Sequence, residues 1–120
     1  MMAPLWVGLG GGLGSVLRYG VGKWISSRLG AGFPWGTLCV NVLGCLAIGF
    51  LQRWLESRGA PESLRLFMSV GLLGGFTTFS AFGNETVSLL QSERFGPALL
   101  YVMASLVAGL TAVWMGNRLS

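Results

Sequence analysis

Four long apolar stretches, separated by short polar connections, set the layout of this chain. They fall at about residues 3–25, 35–53, 66–86 and 96–117. A transmembrane helix needs about 20 residues, at about 1.5 Å of rise each, to cross a hydrocarbon core of about 30 Å. The third stretch carries no charge from Leu66 to Asn84, and the fourth carries none from Phe95 to Asn117. Aromatic and basic residues gather near the ends, with Trp6, Tyr19 and Trp24 on the first stretch and Trp114 and Arg118 on the fourth, as interfacial anchors do. The pattern predicts an all-α integral membrane protein, a single domain over residues 1–120 with four spans.

The third stretch does not read as an ordinary span. Its centre is Gly71-Leu-Leu-Gly-Gly-Phe-Thr-Thr-Phe-Ser-Ala-Phe82. Gly74 and Gly75 each cost about 1 kcal/mol against Ala in a helix, and the hydroxyls of Thr77 and Thr78 compete for backbone partners. A break near Gly74 to Thr78 is expected. In lipid, freed carbonyls are tolerated only when buried in protein or turned to a wet cavity, so such a break is a place to look for an ion site. The competing reading is a kinked, glycine-rich packing seam.

The other spans carry polar residues at helical spacing. On the first, Gly8/Gly12 and Gly10/Gly14 make two small-xxx-small pairs suited to close helix contact, and no window satisfies the dinucleotide-binding glycine pattern. Arg18 lies about two-thirds along this span, where it either snorkels to the headgroups or faces a wet vestibule. On the second, Thr37, Asn41, Cys45 and Gly49 recur every four residues. The Asn41 amide either hydrogen-bonds across a helix pair or donates its NH2 to a passing anion. On the fourth, Tyr101, Ser105 and Gly109 share a face, two hydroxyls above a small gap. Thr37, Asn41, Thr77, Thr78, Ser80, Tyr101 and Ser105 can line one path of uncharged donors, which replace water around a small anion without trapping it. Phe79 and Phe82 add ring edges, the positive end of the aromatic quadrupole. Glu85, three residues after Phe82, stands near the membrane boundary as a vestibule residue or a solvated helix end.

Composition narrows the classes. Hydrophobic residues make up 52% of the 120 and charged ones only 10%, which is too apolar for a soluble domain of this size. The net charge of +4 comes from scattered basic residues without a cluster, so nucleic acid is not an expected partner. There is no His and there are four carboxylates, which leaves little from which to build a catalytic or metal-binding side-chain set, and an enzyme is not expected. Cys39 and Cys45 turn to different faces of one helix and read as packing residues.

Three ordered motifs resemble the small fluoride channels called Fluc or CrcB: Gly11-Gly-Leu-Gly-Ser-Val-Leu-Arg-Tyr19, Gly36-Thr-Leu-Cys-Val-Asn-Val-Leu-Gly44 and Gly74-Gly-Phe-Thr-Thr-Phe-Ser-Ala-Phe82. The resemblance implies an antiparallel, dual-topology homodimer in the cell inner membrane, with two fluoride pores. It also implies a structural sodium ion at the dimer interface, held by backbone carbonyls that fall on Gly74 and Thr77. By the same resemblance the pore amide falls on Asn41, the pore phenylalanines on Phe79 and Phe82, the polar track on Tyr101 and Ser105, and the rim acid on Glu85. The chain departs from the pattern at Ser15, where Ala is common, and at Gly109, where some members offer a further serine. Independently of the family, the basic residues divide evenly. Arg18, Lys23, Arg28 and Arg94 belong to one side, and Arg53, Arg58, Arg65 and Arg118 to the other, so the positive-inside rule sets no orientation. The rival class, a small proton-coupled multidrug exporter, needs a membrane-embedded carboxylate, usually in the first span, where this chain has Arg18.

Overall fold

In the computed structural model, which describes residues 2–120, every regular element is helical. α1 spans Ala3–Leu29 and α2 spans Trp35–Ser57. The third stretch starts as α3 (Glu62–Arg65), widens into a π-helical segment over Leu66–Leu73 and ends in a short turn, α4 (Gly74–Phe76). Thr77 and Thr78 leave the helix, after which α5 (Phe79–Gln91) and α6 (Phe95–Leu119) complete the chain. The bundle is 49 Å along its longest axis, enough to match a bilayer of about 40–45 Å with its headgroups.

Trp35–Ser57, Glu62–Gln91 and Phe95–Leu119 are each long and apolar enough to cross a membrane, and the protein is a multi-pass membrane protein. α1 has the length, 27 residues, but its glycines together with Arg18, Lys23 and Arg28 make it less apolar than the other three. The helices end in stacked cation–aromatic pairs. Arg28 lies over Trp24, Arg58 over Trp54 and Arg118 over Trp114, with 5.3–5.4 Å from guanidinium carbon to ring centroid. An amphipathic ring and a cation together suit the headgroup layer, where one side is apolar and the other wet.

Glycine decides which helices touch. α1 packs along the π-helical segment and α4, and α2 packs along α6. In lipid no hydrophobic force pulls helices together, so association depends on how closely backbones approach. A β-carbon at Gly10 or Gly14 would overlap the carbonyls of Phe67 or Leu72, and one at Gly75 would lie 2.5 Å from Gly11 O. On the other seam, a β-carbon at Gly49 or Gly116 would overlap Val113 O or Leu46 O. Of the two small-residue pairs expected on α1, Gly10/Gly14 makes the contact, while Gly8 and Gly12 meet nothing within 4 Å among the described residues. Of the glycines near the break, Gly71 and Gly75 serve this seam, while Gly74 meets nothing of α1; Gly74 and Gly75 both stay helical, and the chain opens only at the two threonines.

Gly14→Ala is therefore expected to destabilise the bundle by about 1–3 kcal/mol, the usual cost of overpacking. Gly20→Ala, on a face with nothing within 4 Å, should cost nothing measurable. Thermal unfolding of both variants in detergent checks this, and equal midpoints would dissolve the seam argument.

Candidate functional site at the helix break

The break is a short extended segment with φ/ψ of −90°/156° at Thr77 and −151°/122° at Thr78. Competition by hydroxyls explains its position. Thr77 bonds back to Leu73 O with both its N–H (3.0 Å) and its Oγ1 (3.1 Å), closing α4. The Oγ1 of Thr78 accepts from Ala81 N (3.2 Å) and so caps the start of α5, with Ser80 Oγ 3.2 Å away.

Two side chains from other helices satisfy the opened backbone. Asn41 on α2 faces Thr78, with its Oδ1 accepting Thr78 N–H at 2.8 Å and its Nδ2 donating to Thr78 O at 3.0 Å. The amide thus replaces a missing backbone partner on both sides of one residue, and the second Nδ2 proton is left over. Arg18 on α1 donates through Nε to Gly75 O at 3.0 Å. It does not line the cavity below, and with Arg18 engaged at the break the other basic residues divide three against four. Among the described residues no donor reaches Gly74 O or Thr77 O.

Beside the break lies a cavity of about 390 Å³. Asn41, Gly44, Cys45 and Ile48 form one wall, Ser69, Leu73, Gly74, Thr77 and Thr78 a second, and Phe79, Phe82, Ser105 and Leu106 the rest. Among the described residues no charged side chain lines it. The rings of Phe79 and Phe82 are 5.6 Å apart and tilted by 44°. Phe79 is 83% exposed, whereas Phe82 stacks on Tyr101 at 5.2 Å. Tyr101 is fully buried, packed edge-on against Phe33 at 5.5 Å, and its hydroxyl has no partner among the described residues. Toward the α5–α6 turn, Thr37 Oγ1 donates to Glu85 Oε1 at 2.6 Å. Glu85 also borders a second cavity of about 260 Å³ with Ser88, Ser92 and Arg94. The Arg94 guanidinium donates to Gly32 O and ties the two neighbouring connections together.

The structure thus brings Asn41, Gly74, Thr77, Phe79, Phe82 and Ser105 onto one cavity. Thr37 and Glu85 form a separate pair beyond it, and Tyr101 stands behind Phe82 in the packed core. Ser80 is exposed and turned to Thr78, outside the cavity lining. One polar lining residue escaped the sequence reading: Ser69, a lone serine in an apolar run, is only 8% exposed, and its hydroxyl has no partner among the described residues. Its only signal in the sequence is polarity at an otherwise apolar position. Hydroxyls, a spare amide proton and aromatic edges without a fixed cation suit a small anion that must bind and leave again.

These features define a small multi-pass membrane protein organised around a broken span and an uncharged, largely apolar cavity that carries a few donors. The chain belongs to the CrcB-like protein family (Camphor Resistance, CrcB), whose profile matches residues 5–117. It is similar to the "Fluoride-specific ion channel FluC" of a Thermus thermophilus strain, 52% identical over 115 residues that cover 96% of this chain and 91% of that protein. The protein of the same name from Novosphingobium aromaticivorans is 49% identical over 97% of this chain and 94% of its own length. That of Chloroflexus aurantiacus is 48% identical over 92% and 88%.

The Arg18 contact yields a stability test. Arg18→Met should lower stability by about 1.5–3 kcal/mol, the worth of a hydrogen bond from a charged donor. Arg18→Lys should recover part of that, and a wild-type unfolding midpoint for Arg18→Met would show that the bond to Gly75 O does not hold the break.

Proposed function

We propose that this protein is a fluoride-selective ion channel of the cell inner membrane, which exports cytoplasmic fluoride down its electrochemical gradient. The observation that carries the reading is near full-length similarity to relatives named fluoride-specific ion channels, at 52% identity over 96% of the chain. The geometry of the cavity agrees with it. Fluoride, shedding water, would meet the spare Nδ2 proton of Asn41, the Ser105 hydroxyl and the edges of Phe79 and Phe82. The Tyr101 hydroxyl and the Thr37–Glu85 pair, in which Thr37 donates its proton to the carboxylate, extend the polar path toward the α5–α6 turn, and Ser80 stands beside the break. No catalysis is proposed. The relatives' name gives a channel rather than a proton-coupled multidrug exporter, and the carboxylate closest to the path, Glu85, is already engaged by Thr37.

Within the same proposal the working unit is an antiparallel homodimer of four-span chains, with two pores. The support is that Phe79, Ser80 and Gly74 are exposed around the break of a single chain, a costly arrangement for a site that must exclude lipid. The near-even division of basic residues leaves the chain free to insert either way. A sodium ion at the dimer interface would take the carbonyls of Gly74 and Thr77. These oxygens fit it, since they are neutral, hard and without donors among the described residues, as a buried monovalent cation requires. Such an ion would supply a positive charge tying the two breaks together.

Liposomes containing the purified protein are expected to release fluoride down its gradient and to retain chloride. Equal passage of chloride would refute the proposal. Replacing sodium by N-methylglucamine during purification should lower the thermal stability of the dimer, and an unchanged midpoint would remove the ion from the account.

A further inference from the structure

Ser69 combines three properties that plain packing does not explain. Its side chain is buried, its hydroxyl is unpartnered among the described residues, and it lines the same cavity as Asn41 and Ser105. A serine inside a helix ordinarily bonds back to a carbonyl of the preceding turn. Here the segment is π-helical, and Ser69 Oγ makes no such bond. A buried hydroxyl without a partner is unfavourable unless something else fills its hydrogen-bonding capacity. π-helical segments, moreover, occur often where a helix is shaped for function.

The position along the bundle gives the hydroxyl a use. Counting from the α5–α6 turn, polar side chains follow in the order Thr37 with Glu85, then Tyr101, then Asn41 and Ser105. On α6 the face then reaches Gly109, which offers no hydroxyl, and on α2 it reaches Cys45 and Ile48. The remaining oxygen donor farther along this cavity wall is Ser69, from the first half of the broken span. Resting on the channel reading above, we propose that Ser69 is a further fluoride-coordinating residue, whose hydroxyl donates to the ion on the side of the cavity away from Glu85.

The test exploits the missing partner. Because Ser69 Oγ bonds to nothing among the described residues, Ser69→Ala should keep or raise the thermal midpoint while lowering fluoride flux from liposomes by about tenfold, the factor that one hydrogen bond to an anion is worth. Ser69→Thr, which retains the hydroxyl, should restore the flux. Wild-type flux from Ser69→Ala, with the protein folded, overturns the proposal. So does a parallel loss of flux and stability in Ser69→Ala, because the hydroxyl would then be structural. If Ser69→Thr fails to rescue while remaining folded, the donor role also falls. Absence of fluoride flux from the wild type would instead remove the channel reading itself, so the two failures are distinguishable.

Discussion

The bond pair between Asn41 and Thr78 is the constraint on which the rest of the structure depends. A membrane-buried backbone cannot leave its N–H and C=O groups to lipid, so a span broken at its centre needs replacement partners. Asn41 supplies both for Thr78, at 2.8 and 3.0 Å, from a helix that is otherwise apolar at this depth. Arg18 supplies a third at Gly75 O. With these in place, α5 can start afresh at Phe79, and its capped first turn holds Phe79 and Phe82 against the cavity. Of the two roles that its sequence position left open, the bridge between helices is the one the bonds display, and the second Nδ2 proton is not used by it.

The same logic explains the division of labour between glycine and threonine. The glycines bring backbones together, α1 onto the first half of the broken span and α2 onto α6. The threonines use their hydroxyls to end one helix and to begin the next. Close packing on one side of the break and an open cavity on the other follow from this segregation.

Much of this was legible in the residues, because it depends on local composition. Apolar runs bounded by Trp and Arg gave the helices, and Gly-Gly followed by Thr-Thr located the break to within a few residues. Helical spacing put Asn41 on a contact face, and the cavity does gather Asn41, Phe79, Phe82 and Ser105. What could not be read depends on relative rotation and depth of helices. Periodicity alone did not separate Gly10/Gly14 from Gly8/Gly12, nor show that Arg18 turns inward to Gly75. It also gave no means to see that Ser80 faces out or that Tyr101 is shielded by Phe82. Ser69 was invisible for another reason, since a single serine in an apolar span is usually satisfied by its own helix, and only the side-chain geometry shows that this one is not.

Amide hydrogen exchange at Thr78 measures the central claim most directly. If Asn41 holds the break, the Thr78 N–H is protected in the wild type, and Asn41→Ala exposes it while amides in the middle of α6, around Ser105, keep their protection. Fluoride flux should fall in the same variant. A Thr78 amide that exchanges quickly in the wild type, or that remains protected in Asn41→Ala, would contradict the account.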